Sequence, residues 1–249
     1  PVENLRSLLP EQAVLNVDET GHKENGHLMW TWCFRAPRFV VFSIHDSRGS
    51  EVLIESLGRE FSGTLGCDYF SAYRKYMGLT SGLVQFCLAH LIRDLKFLAE
   101  HPHAPVQLYG QPILKAVRQM FHLIHQQFQN PEVDFQSKLE RVKRQIITLA
   151  VDTGSISPIE WYVKKEYPEV FNMARRFGKH GEQYFTFLTT PGVHPTNNVA
   201  EQAIRFVVMD RRATQGTRSP KGRTFCERIW TVVGTCRIQK RSIFNYLWS

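Results

Sequence analysis

Gly63-Thr64-Leu65-Gly66-Cys67-Asp68 is strand-sized and ends in a carboxylate. It follows a short helical stretch in which Ser50 caps Val52, Leu53, Ile54 and Leu57. A strand reached through a helix enters its sheet parallel to an earlier one. The earlier one is Ala13-Val14-Leu15-Asn16-Val17-Asp18, which also ends in an aspartate. Between them, after a polar turn closed by Gly26, His27 to Arg35 (with Leu28, Met29, Trp30, Trp32 and Phe34) and Phe39 to His45 read as two more strands. Their tight connections predict an antiparallel meander. A helix from Tyr69 to about Met77, a strand from Leu83 to Cys87 and a helix from Leu88 to Ala99 complete the order β-β-β-α-β-α-β-α. That order predicts an α/β fold with a mixed five-stranded sheet flanked by helices. With the fourth strand beside the first, Asp18 and Asp68 come together across the sheet.

The pattern then changes. Ile113, Leu114, Val117, Met120, Phe121, Ile124 and Phe128 recur at helical spacing, and Asn130-Pro131 breaks the run. Phe135, Leu139, Val142, Ile146 and Leu149 mark a second helix, Pro158 opens a third through Trp161 and Tyr162, and Val170 to Phe177 forms a fourth. The reading is residues 1–101 as the first part of an α/β core, 102–191 as an all-α insertion, and 192–249 as the completion of the core.

The completion begins with His194-Pro195-Thr196-Asn197-Asn198-Val199-Ala200-Glu201-Gln202-Ala203-Ile204-Arg205, a loop that becomes a helix. Asn197, Asn198, Glu201 and Arg205 share one face, and Val199, Ala203, Phe206 and Val207 form an apolar stripe opposite. Asn198 as N-cap with Glu201 reaching back would make an Asn variant of the capping box. The other reading turns Glu201 toward Asp18 and Asp68. Residues 211–223 carry Arg211, Arg212, Arg218, Lys221 and Arg223 with no acid, and Gly216, Pro220 and Gly222 make them a mobile cationic loop. Phe225, Ile229, Val232, Val233 and Cys236 then read as a helix, and Ser242 caps a last short one.

Composition narrows the partners. The 249 residues are 43% hydrophobic and 22% charged, ordinary for a globular chain, with a formal net charge of +8. Such an excess favours a polyanion, nucleic acid before a membrane surface. The five cysteines include no C-x-x-C pair, which suits a reducing, cytoplasmic compartment. No apolar run approaches the roughly 20 residues of a bilayer span, and no signal peptide opens the chain. It begins at Pro1 rather than Met, as a fragment or processed product would. G-x-x-x-x-G-K-[ST], G-x-G-x-x-G and G-x-S-x-G are all absent.

Two strand-end aspartates and a helical glutamate are the ligand set of hard divalent cations, which take oxygen donors and leave room for waters and phosphate oxygens. Cys87-Leu88-Ala89-His90 has metal-ligand spacing without a second pair, and reads better as a buried thiol and a hydrogen-bonded histidine. His90 and Arg93 share a helical face that can touch a phosphate.

Together these residues resemble a family. Asp18-Glu19-Thr20, Asp68-Tyr69 with Tyr73, Cys87-x-x-His90-x-x-Arg93 and Pro195-Thr196-Asn197-Asn198-x-Ala200-Glu201 are similar to the bacterial insertion sequence 66 transposases. Arg205, Arg211-Arg212, Gly222 and Tyr246-Leu247 extend the likeness over nearly the whole chain. Ile92 stands where relatives often carry a second basic residue, and the N-terminal region that recognises DNA ends in longer members is not in this chain. The resemblance implies a ribonuclease-H-like core with the triad Asp18, Asp68 and Glu201 as catalytic, metal-binding residues. It implies Mg²⁺, replaceable by Mn²⁺, in DNA cleavage at transposon ends followed by strand transfer. The expected partners are double-stranded DNA, further copies of the chain in a homodimer or higher oligomer, and accessory transposition proteins. Arg205, Arg211, Arg212, Lys221 and Arg223, with His90 and Arg93, are the expected phosphate contacts. A related nuclease without strand transfer, or a DNA-binding derivative with an idle triad, would share this pattern.

Overall fold

The computed structural model, which describes residues 1–154 and 156–248, makes residues 14–24 one arm of a long hairpin. After a short helix α1 (Val2–Ser7), strand β1 spans Val14–Glu24 and pairs antiparallel with β2 (His27–Arg35), from Asn16 opposite Arg35 to Glu24 opposite His27. The turn is Asn25-Gly26, with φ of 48° and 86°. Two consecutive positive φ values make the type I′ turn, whose twist matches that of the flanking strands. The strand therefore does not end at Asp18, as its sequence suggests. Gly21 lies inside it, opposite Trp30.

Strand β3 (Val40–His45) lies antiparallel to β2, and helix α2 (Ser50–Leu57) leads to β4 (Thr64–Cys67). Helix α3 (Ser71–Met77) then leads to β5 (Leu83–Phe86). The sheet order is β3-β2-β1-β4-β5, with β4 and β5 parallel to β1. This is the expected five-stranded mixed sheet.

The described chain forms two compact units, Pro1–Phe86 with Gly192–Ser249, and Cys87–Pro191. The second unit is helical. It holds α4 (Leu88–Ala99), α5 (Ala104–Gln129), α6 (Gln136–Val151), α7 (Glu160–Glu166) and α8 (Pro168–His180). Its α4 and α5 cross so closely that a Cβ on Gly110 would stand 2.7 Å from Leu98, so the position takes no side chain. Tyr109 donates to the Ala150 carbonyl at 2.5 Å and ties α5 to the end of α6.

The first unit is completed by α9 (Asn198–Thr214), α10 (Pro220–Ile238) and α11 (Ile243–Trp248). Ile204, Val207 and Trp230 pack on Met29, Cys33, Val40, Phe42 and Ile44, burying the β2–β3 face. Helix α10 also closes the open edge of the sheet. Glu227 accepts from Ile44 N (2.6 Å), Thr231 from Phe42 N (3.0 Å) and Thr235 from Val40 N (3.2 Å). Four helical residues advance about 6 Å and two strand residues about 6.7 Å, so the spacings keep step along the edge. Backbone donors that would otherwise invite another strand are satisfied.

The expected mobile loop of residues 211–223 is largely helical. Arg211 and Arg212 are in the last turn of α9, and Lys221 and Arg223 are in the first turns of α10. Gln215 takes the left-handed conformation that ends α9 (φ 61°), and Ser219 caps α10 by accepting from Gly222 N, with Pro220 next. Between them Thr217 exchanges hydrogen bonds with the hairpin, Thr217 N to Lys23 O (2.9 Å) and Asn25 N to Thr217 O (2.8 Å). These bonds at both ends hold the connection in place.

Candidate active site

The parallel pairing of β1 with β4 sets Val14 against Thr64, Leu15 against Leu65 and Asn16 against Gly66. Continued by two residues, that register puts Asp18 opposite Asp68, just beyond β4. Asp18 thus lies where the parallel ladder stops and only the antiparallel one continues. Asp68 accepts from Phe70 N (2.9 Å), an Asx turn that carries the chain into α3. Helix α3 begins at Ser71, and no side chain caps it.

The period of two along β1 sorts its side chains. Asn16 bonds to Asn197, Thr20 accepts from Arg211 Nη1 (3.0 Å), and His22 pairs with Thr217 Oγ1 (3.1 Å). Asp18, between them in this even-numbered set, belongs to the side of the strand that α9 covers. Glu19 turns the other way.

Helix α9 is anchored by Asn197, its N-cap residue. The side chain makes no capping bond. Its Oδ1 instead accepts from Asn16 Nδ2 (2.9 Å), and its Nδ2 donates to the Val17 carbonyl (2.8 Å). All three residues are buried. The capping box expected for Asn198 and Glu201 is therefore not formed: Asn198 is the first helical residue, and the amide before it is spent on the sheet. Gly66 makes room for this brace, since a Cβ there would lie 2.3 Å from Asn16 Nδ2. One turn after the brace comes Glu201, half-buried, with Oε1 shielded from solvent.

The electrostatics tie the acids together. Burial, with the neighbouring Glu19, Glu201 and Asp68 charges, pushes the Asp18 carboxyl up to about 7. A hydrogen bond from Glu19 N (3.0 Å) opposes the rise without cancelling it. Both other acids of the expected triad thus act on Asp18. Glu19 contributes charge but is otherwise engaged. It bonds to Arg48 (2.7 Å) and to the Tyr73 hydroxyl, and the Arg48 guanidinium lies 3.9 Å over the Phe70 ring and 4.6 Å over Trp30. Burial pushes its carboxyl up too, against the Tyr73 hydrogen bond. The lock fixes the backbone next to Asp18.

The basic residues fall into distinct settings. Arg205, Arg212 and Lys221 are exposed, and Arg211 is half-buried against Thr20. Arg223 is 3.6 Å from Glu24, so part of its charge serves the hairpin. His90 and Arg93 belong to α4 of the second unit, His90 half-buried and Arg93 exposed. Within that unit the buried Cys87 and His90 offer ligand atoms within 4.8 Å of each other.

Asn16, Asn197, Gly66 and the Arg48–Glu19–Tyr73 lock go beyond what the sequence reading assigned. Asn16 left a trace, an amide inside an otherwise apolar strand, while Asn197, Glu19 and Tyr73 stand among the residues that carry the family resemblance, with no such role attached.

A family model described as "Transposase IS66 family" matches residues 2–224. The chain belongs to this family. The match takes in Asp18, Asp68, Glu201 and the paired arginines. Searches of curated proteins and of solved structures return no match. Membership in the IS66 family makes this a transposase-related, nucleic-acid-processing chain. Among the described residues no helix is long and apolar enough to cross a membrane.

Proposed function

We propose that this IS66 family member is the catalytic domain of a DDE transposase on a ribonuclease-H-like core, cutting DNA at transposon ends and joining the freed ends to target DNA. The observation that carries the reading is the Asn197 brace: it fastens the start of α9, one turn before Glu201, to β1 beside Asp18. The continued β1–β4 register adds Asp68 from the third element.

The donor set fits a hard cation. Burial, with the charges of Glu19, Glu201 and Asp68, raises the cost of ionising Asp18, and a divalent ion relieves it. Asp18, Asp68 and Glu201 would hold Mg²⁺, or Mn²⁺ in its place. When bound, such ions supply Lewis-acid activation of the attacking oxygen and charge stabilisation of the leaving one.

The chain's own residues do the rest. Glu19, locked by Arg48 and Tyr73, holds the β1 backbone rigid beside Asp18. Asn197 fixes where Glu201 projects. Arg205, Arg211, Arg212 and Lys221 supply positive charge along α9 and into α10 for the phosphates of double-stranded DNA, with a smaller share from Arg223. His90 and Arg93 of the second unit are kept as further phosphate contacts. The setting is the cytoplasm, with a homodimer or larger assembly on DNA and accessory proteins as partners.

The test is an assay of the full chain on DNA carrying transposon ends, with Mg²⁺ or Mn²⁺. Nicking at the ends and joining of pre-cleaved 3′-OH ends are both expected, and both are lost in Asp18→Asn, Asp68→Asn and Glu201→Gln. Cutting without joining reduces the reading to a nuclease, and cutting that survives all three substitutions refutes it.

A further inference from the structure

Beyond Asp18, β1 and α9 run on together and enclose a second feature. A cavity of about 350 Å³ opens between Gly21, Lys23 and Leu28 of the hairpin and Arg211, Arg212 and Gln215 at the end of α9. Its charged walls are cations. Among the described residues none of Lys23, Arg211 and Arg212 forms an ion pair. The acids nearby are engaged elsewhere, Asp210 accepting from Trp230 Nε1 (3.1 Å) and Glu24 facing Arg223 (3.6 Å). His22, at the back, is buried against Trp230, and burial lowers its pKa, so it adds a neutral ring near neutral pH.

The arginines are placed, not merely present. Arg211 is held by its bond to Thr20 Oγ1 (3.0 Å). Burial first, and the adjacent Arg212 charge second, weaken its hold on its proton. Gly21 contributes no side chain to the cavity wall. Two guanidiniums with a lysine opposite, in a concave site, suit a tetrahedral oxyanion with several acceptor oxygens.

We propose that this cavity is a subsite for one backbone phosphate of the bound DNA. Resting on the catalytic reading above, its position follows from the two elements that join it to the acids. Gly21 to Lys23 lie three to five strand residues past Asp18, roughly 10–17 Å. Arg211 lies ten helical residues past Glu201, about 15 Å. Because each step also turns around the duplex, consecutive phosphates of a strand lie roughly twice the 3.4 Å axial rise apart, so the seated phosphate lies about two to three nucleotides from the bond held at the acids. The pocket would thereby fix the register of the cut.

The test uses the full chain and duplexes that each carry a single neutral methylphosphonate at successive positions around the cleaved bond. Binding is measured by fluorescence anisotropy in EDTA over a range of salt. Arg211→Gln/Arg212→Gln is expected to flatten the slope of log K against log[salt] by about 0.9, the share of one phosphate contact. A methylphosphonate about two to three nucleotides from the cut should weaken the native chain about tenfold and leave this variant unaffected. Arg211→Lys/Arg212→Lys, keeping the charges, should restore the slope, which a folding defect would not allow. An unchanged slope in the glutamine variant, or equal sensitivity of both chains at every position, overturns the pocket. Because binding needs no metal, a flattened slope in a chain that never cuts supports the pocket while refuting catalysis. An unchanged slope in a chain that does cut has the opposite meaning.

Discussion

Replacing Asn197 by Ala removes one amide and strands two partners. Asn16 Nδ2 loses its acceptor at 2.9 Å, and the Val17 carbonyl loses its donor at 2.8 Å. Both are deeply buried, with Asn16 5% and Val17 0% exposed, so water does not replace the lost bonds. An orphaned buried polar group costs about 1–3 kcal/mol, so two of them put the substitution at roughly 2–6 kcal/mol. Asn16→Ala takes one donor from Asn197 Oδ1 and should cost about 1–3 kcal/mol. Because the two side chains share one bond, the double variant should lose less than the sum, with a coupling of about 1 kcal/mol or more. Chemical denaturation followed by tryptophan fluorescence suits the measurement. Four of the five tryptophans, Trp30, Trp32, Trp230 and Trp248, lie in the first unit, so its transition can be followed apart from that of the second. Asn197→Ala should also weaken Mn²⁺ binding by about 10–100-fold, as loss of a residue that orients a ligand does. A coupling below about 0.3 kcal/mol, with Mn²⁺ affinity unchanged, would show that the amide pair does not hold α9 to the sheet.

Asp18→Asn tests the electrostatics. The folded carboxyl titrates at about 7 against an ordinary 3.8, so the folded state binds more protons through that window and metal-free stability falls as pH rises across it. Asparagine escapes this. At 1.36 kcal/mol per unit the ceiling is roughly 4 kcal/mol, and solvent screening of a partly exposed carboxyl reduces it to about 2. In EDTA, Asp18→Asn should therefore stabilise the chain more at pH 8 than at pH 5, by about 1–2 kcal/mol; equal gains at both would contradict the shift. Thr231→Val keeps the shape of the buried side chain but leaves Phe42 N without the acceptor it has at 3.0 Å. The first unit should lose about 1–3 kcal/mol in the same denaturation assay, and a loss under about 0.5 would mean that α10 does not secure the sheet edge.

How far the chain is legible differs from element to element. The helix from Leu88 to Ala99 lies where its sequence places it, because its apolar periodicity and flanking residues agree. The parallel entry of β4 also follows from the helix before it, and with it a register that, continued, sets Asp18 opposite Asp68. The length of β1 does not, because Gly21 reads as a turn while the decisive dipeptide is Asn25-Gly26, the pair suited to two positive φ values. The helix ends around residues 215–219 were signalled by Ser219-Pro220, a cap followed by a first-turn proline, yet the glycines and charges nearby suggested a loop. The Asn197 brace was missed for a deeper reason. The sequence offers Asn198 as the helix cap, and only the tertiary structure supplies the buried amide and carbonyl that engage the Asn197 side chain. The Arg48–Glu19–Tyr73 lock is similar, joining residues from β1, α3 and the loop before α2 that no local pattern connects.

The proposed chemistry requires Asp18, Asp68 and Glu201 to hold divalent cations together. Anomalous scattering from crystals of the full chain soaked in Mn²⁺ tests it most directly. The account predicts a peak about 2.1 Å from carboxylate oxygens of Asp18 and Asp68, with Glu201 completing the set, and its loss in Asp18→Asn. Mn²⁺ bound only away from these three carboxylates, or a peak undiminished in Asp18→Asn, would contradict it.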